Sequence, residues 1–332
     1  MLSRAGEESP DRRILITWLV IAGLVVVAFF GTVLALNSTL YSASGFVGSY
    51  LNALARHDID AALATPGVVR ASDAADELLS AGALGDLHDI RASGDTDNGL
   101  GVHSVSFDYT SAGRAGTTHF LVERTGARLG LFSTWSFRQS PVSILQVTPQ
   151  HAAEFTVNGV RLEAADGPSS PAMYEVLAPG SFELGHDSAY LSARPTRVLV
   201  QEPGTTVAAE VDIQANPGFI GQLQQELDAM LDKCATQQVL LPSGCPFGKP
   251  LANQVAGDPE WSMAVYPQVN IIPGDVPGTW VVPATPAAAH LKVDVRSLFD
   301  GTLSTFDEDV PFTASYLITF SPNGTPTIVL QE

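Results

Sequence analysis

Apolar positions dominate from Ile14 to Leu36: ILITWLVIAGLVVVAFFGTVLAL, 23 residues with no charge and only Thr17 and Thr32 polar. At a helical rise of about 1.5 Å per residue the run reaches roughly 34 Å, enough to cross a hydrocarbon core of about 30 Å. Arg4, Arg12 and Arg13 precede it, and no Lys or Arg follows until Arg56. That asymmetry predicts a cytoplasmic tail over residues 1–13, a transmembrane helix over 14–36, and the remainder outside the membrane. A cleaved signal has an apolar core of only about 7–15 residues and a small-residue cleavage site. This run is longer and lacks such a site, so it reads as an uncleaved signal anchor at the cell membrane.

Beyond a short polar lead the pattern becomes helical. In GFVGSYLNALARHDIDAALATPG, Phe46, Tyr50 and Leu54 recur at i, i+4 and i+8, flanked by Val47 and Leu51. Asp58 or Asp60 can cap a second short helix, Ile59 to Leu63, which Pro66-Gly67 ends. Asp73 to Leu84 reads as a third helical piece. Alternation with period two then takes over at Val102–Tyr109, Thr117–Glu123 and Leu129–Phe137, with turns at Ser111-Ala112-Gly113 and Thr125-Gly126. Helices followed by a meander imply α+β, with helices on one face of a curved sheet.

The helical opening FVGSYLNALARHDIDAALA and the strands ending in LGLFSTWSF make residues 43–139 resemble the NTF2-like superfamily. The resemblance implies a cone with a pocket. His103, Asp108, Tyr109 and His119 are the polar and aromatic residues of the middle strands, and they would line it.

Residues 141–216 carry only strand and turn signals. Phe155 to Val160 is strand, Asn-Gly turn, strand; Tyr174 to Leu184 reads as a hairpin through Pro179-Gly180; Arg197–Val200 and Thr205–Ile213 are two more strands, joined around Pro203-Gly204. A small β-sandwich is expected. VNGV followed by LAPGSFEL resembles PEGA-like surface modules and the β-modules of TcaA-like envelope proteins of Gram-positive bacteria. The module order differs here, and the zinc ribbon of that family is missing. Residues 217–332 open with an amphipathic helix, Pro217 to Gln237, on which Phe219, Ile220, Leu223, Leu227, Met230 and Leu231 share a face. Strands are expected at Trp261–Val269, Thr279–Val282, His290–Arg296, Thr313–Phe320 and Thr327–Leu330. Helix then strands suggests a second NTF2-like or cystatin-like α+β unit. The expected fold class is therefore α+β: one transmembrane helix, an NTF2-like domain, a β-sandwich and a C-terminal α+β domain.

Thirty-five acids against 17 bases give a net charge of −18. Glu7, Glu8 and Asp11 cancel the three N-terminal arginines, so the charge belongs to the exported part. It argues against nucleic acid and against docking flat on anionic lipid, and it favours solubility, cations or basic partners. Three Lys against fourteen Arg, with abundant Ala, Gly and Val, match the coding bias of a GC-rich actinobacterium. Cys234 and Cys245, an even pair in an exported domain, read as a disulfide. None of the seven His pairs with another at i+2 to i+4, and no nucleophile elbow, zinc motif or phosphate loop occurs. Asp95–Gly99 and Asp307–Asp309 read as polar turns. No cofactor, metal or catalytic residue is expected. A membrane-anchored interaction protein, binding a wall component or another envelope protein, fits best. The alternative is an enzyme or small-ligand receptor using the first domain's pocket.

Overall fold

The computed structural model describes residues 10–71, 73–321 and 324–330; most of the predicted cytoplasmic tail lies outside them. The fold is α+β. Helix α1 (Pro10–Ser38) holds the apolar run, and Ile14–Ser38 is long and apolar enough to cross a membrane. From Ile14 to Ser38 its side chains are exposed on every face except at Val33, with Leu36 and Asn37 half-buried. A core helix would be covered by its neighbours.

Helix α2 (Ala43–Ala55) starts at Ser42, whose hydroxyl accepts from the Gly45 N–H at 2.9 Å. Helix α3 (Ile59–Leu63) is capped by Asp58, which accepts from the Ala61 N–H at 3.1 Å. Strands β1 (Leu87–Asp97), β2 (Val102–Ser111), β3 (Arg114–Arg128) and β4 (Phe132–Phe137) form an antiparallel meander. The apolar face of α2 lies on it. Tyr50 stands edge-on to Phe137 and Phe120, with ring centroids 5.1 and 6.0 Å away. Its hydroxyl donates to the Ala178 carbonyl at 2.8 Å. Burial pushes the Tyr50 hydroxyl well above its ordinary pKa. Val47, Leu51, Leu54, Val105, Phe107 and Val122 complete this core.

Two local expectations fail here, and one strand was not expected. Residues 73–84 are not an α-helix, apart from a 3-10 turn at Ala81–Ala83. The Ala75 N–H donates to the Met173 carbonyl and its carbonyl accepts from the Glu175 N–H, a parallel bridge that draws the segment out of helical geometry. Thr125-Gly126 is not a turn. Gly126 sits at a bulge inside β3, and the chain reverses instead at Leu129-Gly130. Strand β1 escapes sequence detection because it is a polar edge strand whose residues after Leu87 are all partly or fully exposed.

Strands β5 (Val142–Gln150), β6 (Glu154–Val157), β7 (Val160–Glu163), β8 (Ala172–Leu177), β9 (Gly180–Asp187), β10 (Leu191–Val200) and β11 (Thr206–Ala215) form a seven-stranded sheet, ordered β7-β6-β9-β10-β11-β5-β8. The Asn158-Gly159 turn is as expected: both residues have positive φ, and β6 pairs with β7. Pro179-Gly180 is not a hairpin turn. It leads β8, at one edge, to β9, four places away in the sheet.

Helix α4 (Pro217–Ala235) begins at Asn216, whose side chain accepts from the Phe219 N–H at 2.8 Å, with Pro217 at the first helical position. Cys234 in its last turn is disulfide-bonded to Cys245. The loop that follows is held by Phe247, ring-to-ring with Trp261 at 5.0 Å and Phe312 at 5.4 Å. Strands β12 (Gln254–Val255), β13 (Glu260–Val265), β14 (Ile272–Pro273), β15 (Thr279–Arg296), β16 (Leu303–Phe320) and β17 (Pro326–Leu330) make the last sheet. β15 and β16 are single 18-residue strands. Asp307–Asp309, expected as a turn, lies within β16, where the acids stand opposite Lys292, Leu291 and His290.

The chain divides into two compact units. The first comprises residues 1–145, 173–182 and 198–207. The second comprises 146–172, 183–197 and 208–332.

Candidate functional site

The pleat of β2 and β3 decides the arrangement of His103, Asp108, Tyr109 and His119. Successive strand residues point to opposite faces. His103 and Tyr109 share the face of β2 that carries buried Val105 and Phe107, whereas Asp108 lies on the other, exposed face. His119, on β3, is exposed between buried Thr118 and Phe120. The register pairs Ser106 with His119 and Asp108 with Thr117, so His119 and Asp108 are on the outward side.

Each side chain has a local partner. The His103 Nδ1 is 2.7 Å from Asp95 Oδ1, and its ring stands edge-on to Trp135 at 4.9 Å. Asp108 accepts from the Thr117 hydroxyl at 2.7 Å. The Tyr109 hydroxyl lies 3.1 Å from the Thr118 hydroxyl, and burial raises its pKa. His119 Nδ1 lies 3.1 Å from Glu202 Oε1. The four do not meet at one point.

A cleft of about 590 Å³ lies instead in the second unit, walled by Tyr190, Trp280 and Phe320 and edged by His151, Glu163 and His186. Its volume suits a small ligand. The His186 Nδ1 faces the Glu154 carbonyl at 2.8 Å, which makes that nitrogen the donor, and its Nε2 is 3.2 Å from Ser188 Oγ. This resembles a base–nucleophile pair, but Ser188 is committed elsewhere. Its oxygen accepts from the Leu191 N–H at 3.0 Å and lies 3.0 Å from the Leu191 carbonyl, closing the turn into β10. Trp280 and Trp261 are core residues, and the Trp135 indole donates to the Tyr41 carbonyl at 2.8 Å.

Sequence reasoning also passed over the tip of the β15–β16 hairpin. Leu298, Phe299 and Leu303 are all exposed there, Phe299 at 99%. The turn beneath them is tightly bonded. Gly301 N–H donates to the Ser297 carbonyl at 3.0 Å, Ser297 N–H to the Thr302 carbonyl at 2.9 Å, and the Thr302 hydroxyl to Asp300 at 2.8 Å. Hydrogen bonds from Ser297 and Thr302 hold the Asp300 carboxyl below its usual pKa. An ordered turn thus presents three clustered apolar side chains to solvent, a pattern found at interaction surfaces. The signal in the sequence was LFDGTL between two alternating runs.

On the outer face of the same hairpin, His290 lies between Asp309 (Nδ1 to Oδ1, 2.8 Å) and Asp307 (Nε2 to Oδ1, 2.9 Å). Among the described residues no His, Cys, Asp and Glu group is arranged to hold a metal ion. No protein-family model matches this chain, and no match is found among curated proteins or solved structures.

Proposed function

We propose that the chain is a single-span protein of a Gram-positive, actinobacterial envelope, with its N-terminus inside and non-catalytic interaction modules outside, binding a wall component or another envelope protein. The observation that carries this reading is α1. It is an apolar helix of spanning length with almost no protein cover, joined directly to a folded unit. In this reading residues 43–139 are an NTF2-like module, 141–216 a PEGA- or TcaA-like β-module, and 217–332 a second NTF2-like or cystatin-like unit. The bare tip around Phe299 supports recognition by surface contact, and the net charge of −18 favours a partner that is basic at its rim.

The test is co-sedimentation of the full-length protein, in mild non-ionic detergent, with purified wall sacculi. Saturable pelleting that Phe299→Asp weakens is the expected result for a wall ligand. If nothing pellets, and crosslinking in membranes also captures no partner, the interaction reading fails.

The cleft of about 590 Å³ favours a second reading, a small-ligand receptor. A thermal shift with wall sugars or peptides, abolished by Tyr190→Ala, would support it over the first.

A further inference from the structure

We propose that the tip of the β3–β4 hairpin is a membrane foot: it rests in the headgroup region of the bilayer that α1 crosses, with Leu129 reaching the acyl boundary. The inference rests on reading α1 as a membrane span. It adds that the first folded unit is seated on the lipid surface and does not swing from it on a linker.

The first observation is the joint between helix and hairpin. Asn37 is the first amide or charged side chain after the apolar run. Its Nδ2 donates to the Leu131 carbonyl at 2.7 Å, and its Oδ1 accepts from the Ser133 N–H at 3.0 Å. One helical turn further into the run, Val33 is covered, at 8% exposure. Helix α1 touches β4. The Tyr41 ring, just past the helix end, lies 4.6 Å from Phe132. The return strand of the hairpin is therefore fastened to the last turn of α1, and the tip lies at the depth where the apolar run ends. The edges of the tip are paired: β3 and β4 bond to one another, the Leu131 N–H donates to the Arg128 carbonyl at 3.1 Å, and Asn37 takes two further backbone groups. Backbone near hydrocarbon must be satisfied in this way.

The second observation is the residue at the turn. Leu129 and Gly130 have φ of +55° and +68° and are the central residues of the Arg128–Leu131 turn, inside a three-residue loop between Arg128 and Phe132; two successive left-handed positions of this kind favour Asn-Gly. The chain uses that preferred pair at Asn158-Gly159, with φ of +48° and +82°. At the β3–β4 tip it places leucine in a left-handed conformation that leucine disfavours, and leaves the side chain 84% exposed. Neither local conformation nor packing within this chain accounts for leucine there. An apolar surface does. Arg128 and Arg124 are exposed beside the tip, where guanidinium groups suit lipid phosphates. Asp95 and Asp97 lie one turn over, in the neighbouring β1–β2 hairpin, and their charge argues for a headgroup layer that is not strongly anionic.

The test uses the full chain in proteoliposomes with the disulfide intact, spin-labelled at one introduced cysteine, and compares collision with oxygen against collision with a water-soluble nickel chelate. Three single variants suffice: Leu129→Cys at the foot, Ala115→Cys roughly 40 Å away along β3, and Val27→Cys inside the apolar run. The expected result is oxygen-favoured collision at Val27→Cys and Leu129→Cys and nickel-favoured collision at Ala115→Cys. If Val27→Cys is lipid-exposed while Leu129→Cys matches Ala115→Cys, the foot is refuted and the span stands. If Val27→Cys itself is water-exposed, the span fails and the foot with it.

Discussion

The carboxylate of Glu175, whose side chain is 0% exposed, lies 2.7 Å from the Arg70 guanidinium. One Glu175 oxygen accepts from Arg70, and the other accepts from the Ala71 N–H. Arg70 also reaches Asp76 at 2.8 Å, and its hydrogen bonds and charge hold the Asp76 carboxyl below its usual pKa. The residues around Arg70 and Ala75 are thereby latched to β8. Buried charge is tolerable only with such partners. Glu175→Ala is expected to lose about 1–3 kcal/mol, because the Ala71 N–H loses its acceptor while Arg70 keeps only Asp76. Urea unfolding measures it, and a loss under about 0.5 kcal/mol, the range of neutral surface changes, would contradict the latch.

The disulfide closes a loop with a sequence separation of 11. In the chain-entropy model such a closure stabilises by roughly 3 kcal/mol. Reduction, or a Cys234→Ala/Cys245→Ala double variant, is expected to lower the Tm of the unit containing it by about 6–12 °C. Calorimetry with and without reductant checks this; an unchanged Tm would show the loop to be held by Phe247 packing alone.

His290 gives a pH dependence with a definite sign. Its hydrogen bond to Asp309, with the charges of Asp307 and Asp309, raises its pKa above 6.5. The folded state therefore favours the protonated ring. The associated stability is fully present below about pH 6.5 and is lost as pH rises through the folded value. Unfolding midpoints should fall across that range in the parent and run flatter in His290→Gln. Parallel curves for the two proteins would remove His290 from the account.

Phe299→Asp separates interaction from folding. Phe299 makes no buried contact that the fold needs, so stability should change by no more than about 0.5 kcal/mol. Partner capture, by sacculi or by crosslinking, should drop. Unchanged capture would place recognition elsewhere, with the cleft beside Tyr190 next to be tried.

Much of the fold was legible where one physical signal dominated. The uncharged run of α1, the period of α2 and α4, the Asn158-Gly159 turn and the lone cysteine pair each admit one reading. What was missed depends on partners distant in sequence. Strand β1 is too polar to announce itself and exists because β2 offers a bonding edge. Asp307–Asp309 looked like a turn until Lys292 and His290 stood opposite. Residues 73–84 have helical spacing, yet backbone bonds to β8 win. The predicted pocket residues were chosen as polar side chains on adjacent strands. Period-two alternation puts Asp108 on the opposite side of β2 from His103 and Tyr109, a test the sequence alone allowed.

The most direct test of the central claim is the topology of the chain in intact cells. Membranes from cells expressing it should retain the full chain through a carbonate wash, and protease added to whole cells should remove the epitopes beyond Asn37 while sparing one placed before Arg12. Release by carbonate, or protection of the C-terminal epitope until the membrane is broken, would contradict a single-span protein with its folded units outside.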